Sequence, residues 1–377
     1  MRRSGRSLRA QAIHAQVEIY GMLTCWNCFS SYGLKLYRLV VALCAALASI
    51  SGAHAESPGP AQAGKIHVPD SEPSPLESFR DCNLCPEMIV MPPGSFMMGA
   101  IPGESRNPFD FYAPVDAKGF VPLVREPDEI NIIPNEHPRH RVDMDIPYAI
   151  ARNETTHAEW MACVEAGGCT HDPDHRVLTL NGYVPLGPNH PVIDVSYLDA
   201  LEYVAWLNAQ VGAEVYRLPT ESEWEYAARA GTETPFAQGE ELTADQANFS
   251  RKGTEYLLGR GREPRVSRPD LVDRDIPVPV NELDAANAWG VRHMSGNVEE
   301  LTQSCWSDEH LGLSSDSAYL ANGDAQRSCR RVAKGGAFNM AMDHVRPARR
   351  FRPTEDRRRD FLGFRVVREF DSIGGKQ

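Results

Sequence analysis

The sequence predicts an α+β fold with low regular secondary structure. Three observations predict it. Three segments combine a helix-capping signal with helical apolar spacing, the other apolar runs are short and bounded by Pro, Gly and Asp, and no internal repeat divides the chain. A prior of roughly 150 residues per domain allows two domains or one large one in 377 residues. With 42% apolar and 24% charged residues the chain can build a core, which excludes a wholly disordered, collagen-like or multi-span membrane protein.

In chain order, Glu87-Met-Ile-Val-Met-Pro-Pro-Gly-Ser-Phe-Met-Met-Gly99 predicts two short strands around a Pro-Gly turn. Residues 100–135, rich in Pro and Asp, predict a long loop, and the alternation over Arg141–Ile146 predicts a half-buried strand. Thr156 with Glu159 forms a capping box ahead of Trp160, and Gly167-Gly168 ends that helix. Ser196 with Asp199 starts the second helix, whose Ala200, Val204, Leu207 and Val211 share a face, with Gly212 as the stop. Thr220 with Glu223 starts the third, which Gly231 closes. Trp160, Trp206 and Trp224 fall on these helices as packing residues. Beyond residue 232 short strands and long loops are expected.

The N-terminus reads as an export signal. Arg38 precedes the apolar run Leu39–Ile50, and Ala53-His54-Ala55 offers a small-residue cleavage site. The run is short for a transmembrane span, so no stable membrane span is expected after cleavage. Residues 1–55 are thus a leader, 56–80 a Pro/Ser/Gly-rich flexible linker, 81–371 the folded domain and 372–377 a tail. The protein is expected to be periplasmic or secreted. Six cysteines follow the leader: Cys82, Cys85, Cys163, Cys169, Cys305 and Cys329. An even number in an exported chain suggests disulfides, and close spacing favours Cys82–Cys85, Cys163–Cys169 and Cys305–Cys329. Cys82-Asn-Leu-Cys85 is also compatible with a redox CxxC, but no βαβ pattern surrounds it. The formal charge is −12 for the whole chain, and nucleic acid is excluded as a general partner because phosphate neutralisation needs a basic surface.

Several ordered blocks carry a resemblance. Tyr216-Arg-Leu-Pro-Thr-Glu-Ser-Glu-Trp-Glu-Tyr-Ala-Ala-Arg-Ala-Gly231, His293-Met-Ser-Gly-Asn-Val-Glu-Glu-Leu301, Arg331-Val-Ala-Lys-Gly-Gly-Ala-Phe338 and Leu362-Gly-Phe-Arg-Val366 resemble, in order, the motifs of the formylglycine-generating enzyme (sulfatase-modifying factor) family. Met88–Gly99 and Glu136–Val142 are similar to its opening blocks. The resemblance spans about residues 86–369 and implies an elaborated C-type-lectin-like single domain. It also implies an oxidoreductase activity in which two cysteines bind copper(I) and a substrate cysteine becomes formylglycine.

Those cysteine positions fall at or near Met340 and Val345 here, and no Cys follows Cys329. Copper(I) requires soft thiolates. The serine of the family's GGS block is Ala337, and the aromatic of its GN-x-W-E block is Glu299. A copper-dithiolate oxidase is therefore not expected, unless Cys305 and Cys329 are free thiols that replace the pair. The resemblance further implies calcium at Gly296, Asn297, Val298 and Glu300, and at a second site beginning at Asn248 with Asp273 or Asp275. His293 stands where the family has Asn or Asp, and a hydrogen-bonded turn without metal is the alternative.

The resemblance places a ligand groove beside Ala337, Phe338, Asn339 and Glu299. Arg346–Asp360 is a basic island of seven Arg against three acids in an acidic protein. Arg346, Arg349 and Arg350 are expected to line the groove, as guanidinium forks for carboxylate or phosphate. Arg357, Arg358 and Arg359 are expected to pair internally. His137 and His140, like His171 and His175, are separated by Pro and read as packing or surface histidines. Should iron or zinc be held, His171, Asp172, Asp174 and His175 are the candidates. The expected function is binding of a peptide, small molecule or partner protein in the groove. The alternative is other chemistry on the same scaffold, as in relatives that act in siderophore maturation or make sulfoxides with iron.

Overall fold

Each predicted capping box forms. Helix α1 (His157–Glu165) starts where the Glu159 amide donates to Thr156 Oγ1 at 3.2 Å and the Thr156 amide donates back to Glu159 Oε2 at 2.8 Å. Helix α2 (Tyr197–Val211) repeats the exchange between Ser196 and Asp199 and ends on Gly212 in the left-handed region. Helix α3 (Glu221–Arg229) repeats it between Thr220 and Glu223. Its left-handed cap is Ala230, at φ 47°, one residue ahead of the expected Gly231.

The computed structural model describes residues 74–105, 133–259, 266–310 and 328–370. The leader, most of the linker, residues 106–132 of the loop and the tail lie outside the described residues. Helix α4 (Arg251–Gly259) corrects the expectation of strands and loops beyond 232. Ser250 Oγ accepts from the Gly253 amide at its start. A side chain at Gly253 would meet the Ala341 backbone at 3.2 Å, so an interior glycine lets the helix lie against that segment.

The strands are short. β1 (Ser78–Phe79) lies within the stretch assigned above to the linker, yet it pairs with β2 (Met88–Val90). β3 (Gly94–Met98) pairs not with β2 but with β4 (His140–Met144), so Glu87–Gly99 yields two strands in two different sheets. β5 is Tyr148–Ala151, β6 Arg176–Thr179, β7 Gly182–Pro185 and β8 Tyr216–Arg217. β9 is Glu299–Cys305, β10 Arg331–Lys334, β11 Leu362–Phe364 and β12 Val367–Glu369. An antiparallel five-stranded sheet runs β1-β2-β5-β12-β8, with Val367 opposite both Ile150 and Arg217. In a second sheet β9 is central, antiparallel to β10 and parallel to β11, with Leu362 opposite Glu299.

Two cores cover these sheets. Trp160, Tyr203, Trp206, Leu207 and Phe364 pack α1 and α2 onto one side. Trp224, Tyr148, Ile150 and Val367 pack α3 onto another. Trp160 and Trp224 are fully buried, which at roughly 25 cal/mol per Å² makes each a multi-kcal anchor. The three expected disulfides are present, Cys82–Cys85, Cys163–Cys169 and Cys305–Cys329. No helix among the described residues is long and apolar enough to cross a membrane.

Candidate functional site

The turn leading into β9 is closed by protein groups. Gly296 sits at φ 83°, and a Cβ there would fall 2.2 Å from the Asn248 carbonyl oxygen. That contact requires glycine. Asn297 Oδ1 accepts from the Val278 amide at 2.8 Å and from Asn248 Nδ2 at 3.2 Å, while its Nδ2 donates to Glu154 at 2.9 Å. Val298 is buried among apolar side chains. Glu300 receives Arg365 Nη2 at 2.7 Å and Arg365 Nε on its other oxygen, which Trp224 Nε1 also contacts at 2.8 Å.

The side chains of the expected calcium set thus have protein partners. The Glu300 carboxylate that would ligate a cation is neutralised by a fully buried guanidinium, and Asn297 spends its oxygen on two N–H donors. Glu154 and Asn248, which both contact Asn297, each keep a buried oxygen without a hydrogen-bond partner, Glu154 Oε1 and Asn248 Oδ1. At the second set, Asn248 Oδ1 is buried without a partner, but Arg251 (3.4 Å) and Lys252 (3.9 Å) flank Asp273. Beside the turn, burial and the neighbouring Glu300 push the Glu154 carboxyl well above its usual range.

A charged network fills the interior behind β9. Lys334, fully buried on β10, donates to Glu225 at 3.0 Å and lies 3.4 Å from Glu221. Burial alone would raise the Glu225 carboxyl, yet Lys334 and Arg229 pull it down to about 2. Arg350 is in this network too, with Nη2 on Glu221 at 3.0 Å. Arg346 makes a two-armed contact with Glu136 (2.9 and 3.0 Å) and reaches Glu104 at 3.2 Å. Arg349 lies 3.5 Å from Glu136. All three arginines are buried as internal counter-charges, and Arg346 lines only a small cavity of about 30 Å³ beside Phe236 and Met342, not an open groove.

The open groove lies on the other side of β9. It measures about 460 Å³ and is lined by Glu299, Arg330, Arg352, Arg357, Arg359 and the rings of Phe351 and Phe361. The four arginines are exposed. Arg352 keeps Asp308 at 3.8 Å, and Arg359 lies over the Phe361 ring at 5.3 Å. Arg357 and Arg359, expected to pair internally, therefore form the rim; of that trio only Arg358 is held as expected, by Asp199 at 2.7 Å on each arm. Glu299 is the single acidic side chain of the lining and is only 6% exposed. Among the described residues its carboxyl has no hydrogen-bond or ion-pair partner. Burial pushes its pKa up to about 8, against the lowering pull of Arg359 and Arg349.

The positions that replace the family's cysteine pair carry no thiol. Met340 is half-buried, and Val345 is fully buried with Phe236, Leu271 and Met342. Ala337 and Phe338 pack with Val298 behind Phe361 rather than opening to the groove, while Asn339 is exposed. The displaced-cysteine alternative is corrected as well, because Cys305 and Cys329 are bonded to each other. The residues present do not fit a copper-dithiolate centre.

The histidine pairs do not converge. His171 Nε2 lies 2.9 Å from the Asp194 carbonyl, and His175 stacks on His157 with ring centroids 3.7 Å apart. Among the described residues no cluster of three His, Cys, Asp or Glu side chains is placed to hold a metal.

A short-stranded α+β scaffold with a capped Arg-Leu-Pro-Thr helix start, a Gly-Asn turn and a terminal Gly-Phe-Arg strand defines a sulfatase-modifying-factor-type domain. Residues 75–370 match the sulfatase-modifying factor enzyme 1-like domain, and the chain belongs to that family. It is 26% identical over 247 residues to serine/threonine-protein kinase pkn1 of Chlamydia caviae, covering 62% of this chain. It is 31% identical over 186 residues to the formylglycine-generating enzyme of Thermomonospora curvata, covering 48% of this chain. It is 27% identical over 283 residues to hercynine oxygenase of Mycolicibacterium thermoresistibile, covering 67% of this chain. The matches span only 35%, 56% and 57% of those three proteins. The solved structure of PvdO from Pseudomonas aeruginosa is similar at a TM-score of 0.57 and 28% identity, covering 79% of this chain and all of that one.

Proposed function

We propose that this chain is an exported member of the family that works without a copper-dithiolate centre and binds an anionic small molecule or peptide in the Glu299 groove. The observation that carries this is the rim of Arg330, Arg352, Arg357 and Arg359 around a 460 Å³ opening in an otherwise acidic protein. Guanidinium groups offer paired donors to carboxylate or phosphate oxygens. Export is supported by the leader-like N-terminus and by three disulfides, which persist in oxidising compartments. Other chemistry on the same scaffold is a second reading. It is favoured by the unpartnered Glu299 carboxyl and by the similarity to a protein named as an oxygenase.

Titration calorimetry with succinate, a plain dicarboxylate, tests the binding proposal. Saturable uptake is expected, and Arg357→Ala with Arg359→Ala should abolish it while leaving the fold intact, since both side chains are exposed. Undiminished uptake by the double variant would sink the groove assignment.

A further inference from the structure

Glu299 is set on the groove floor by its backbone. Its amide donates to the Phe361 carbonyl at 2.8 Å, and Leu362 is its strand partner on β11. Side chains alternate along β9, so Glu300 turns inward to Arg365 and Glu299 turns to the groove. There it shares the lining with the Phe351 and Phe361 rings and is more than nine-tenths buried. Among the described residues nothing hydrogen-bonds to its carboxyl.

The lining divides its hydrogen-bonding capacity unevenly. Arg330, Arg352, Arg357 and Arg359 carry donors only. The Thr354 hydroxyl is turned to the Asp356 carboxylate, which leaves Glu299 as the acceptor of the groove. A carboxyl keeps an acceptor oxygen whether or not it carries a proton, so this role follows from its position and not from its charge. A ligand N–H satisfies it in either state. An ammonium would meet four guanidinium charges on entering, whereas a neutral amide N–H meets no such repulsion.

We propose that Glu299 accepts a hydrogen bond from an amide N–H of the ligand while the rim arginines hold a carboxylate of the same ligand. This rests on the anion-binding reading above and names the ligand class within it. That class is a carboxylate with an adjacent amide N–H, the grouping presented by an acidic residue of a peptide or by an N-acylated acidic amino acid. Phe351 and Phe361 offer an apolar surface to the carbons between those two polar ends. A buried acceptor left unpaired is costly, so the site should reject an analogue that lacks only the N–H.

N-acetylaspartate and O-acetylmalate differ only in an N–H against an ester oxygen, and calorimetry with the full chain at one fixed pH compares them. The amide should bind about tenfold more tightly. Glu299→Leu should bring the ratio to about one, and Glu299→Gln, which keeps a side-chain carbonyl, should preserve it. Equal affinities, a preference for the ester, or a preference that survives Glu299→Leu overturns the acceptor role while the arginine groove stands. Binding of succinate with neither acetyl compound does the same, and failure of all three overturns the anion reading as well. Acetyl-Asp-Asp-amide separates the two sources of this chemistry. Tighter capture than N-acetylaspartate supports the proposal with a peptide as ligand, and weaker capture supports it with a free acylated amino acid.

Discussion

Glu299 and Glu300, successive residues of β9, deliver their carboxyls to opposite faces of the three-stranded sheet. Glu300 is gripped by both arms of Arg365 in the interior, and Glu299 ends unpartnered on a groove floor. One register step separates a paired carboxyl from an unpartnered one.

Removing one partner of a buried ion pair leaves the other uncompensated and costs about 3–5 kcal/mol. Glu300→Ala should lose stability on that scale in urea unfolding. The loss should be the same with calcium added as with a chelator if the carboxylate serves Arg365, which engages both of its oxygens. A loss that appears only with calcium would return the turn to metal binding.

The two halves of the basic island should separate in the same assay. Arg346→Ala breaks the contact with Glu136 and Glu104 and should cost about 3–5 kcal/mol. Arg357→Ala, on the exposed rim, should shift stability by no more than about 0.5 kcal/mol. Equal effects would contradict the division into internal counter-charges and ligand-facing arginines.

Stability should fall on both sides of neutrality, for opposite reasons. Glu299 holds its proton up to about pH 8 when folded and releases it near the usual carboxylate value when unfolded. The folded state thus binds more protons across that window, and stability declines as pH rises through it. Glu299→Gln should remove this part of the slope. His310 and His344 are pushed down to about 4 by burial, so the unfolded chain binds more protons between about 4 and 6.5. Their contribution is present above pH 6.5 and is lost as pH falls toward 4. Urea midpoints from pH 4 to 9 for wild type and Glu299→Gln check both limbs.

The Cys305–Cys329 bridge closes a loop of 24 residues and joins the end of β9 to the approach of β10. Chain-entropy arguments put its worth at about 3 kcal/mol. Cys305→Ser with Cys329→Ser should lower the unfolding free energy by about that amount. Thiol labelling of the folded wild-type mature chain should find no free cysteine; two reactive thiols at these positions would reopen the displaced-cysteine alternative.

The helices were legible because a capping box is a local signal: Thr156 and Glu159 are three residues apart and satisfy each other. Strand pairing was not, since Val367 meets Ile150 and Leu362 meets Glu299 through registers no local pattern encodes. The division of the basic island, apart from Arg358, differs from the sequence expectation for the same reason. The partners of Arg346 and Arg350, Glu136 and Glu221, lie 210 and 129 residues away. Helix α4 escaped because Gly253 and a polar surface mask its period, although Ser250 offered a cap. Glu299 could be singled out because it replaces an aromatic in the family pattern; its burial and open face required the fold.

β12, Val367–Glu369, is an interior strand of the five-stranded sheet, inserted between β5 and β8, and β11 completes the sheet that holds Glu299. A chain emerging from the ribosome therefore carries its groove floor long before the wall that shapes it. Truncation anywhere before residue 362 removes one side of the site and bares an edge on each of β9, β5 and β8. Folding must wait for the last segment, and such long-range closure is intrinsically slow.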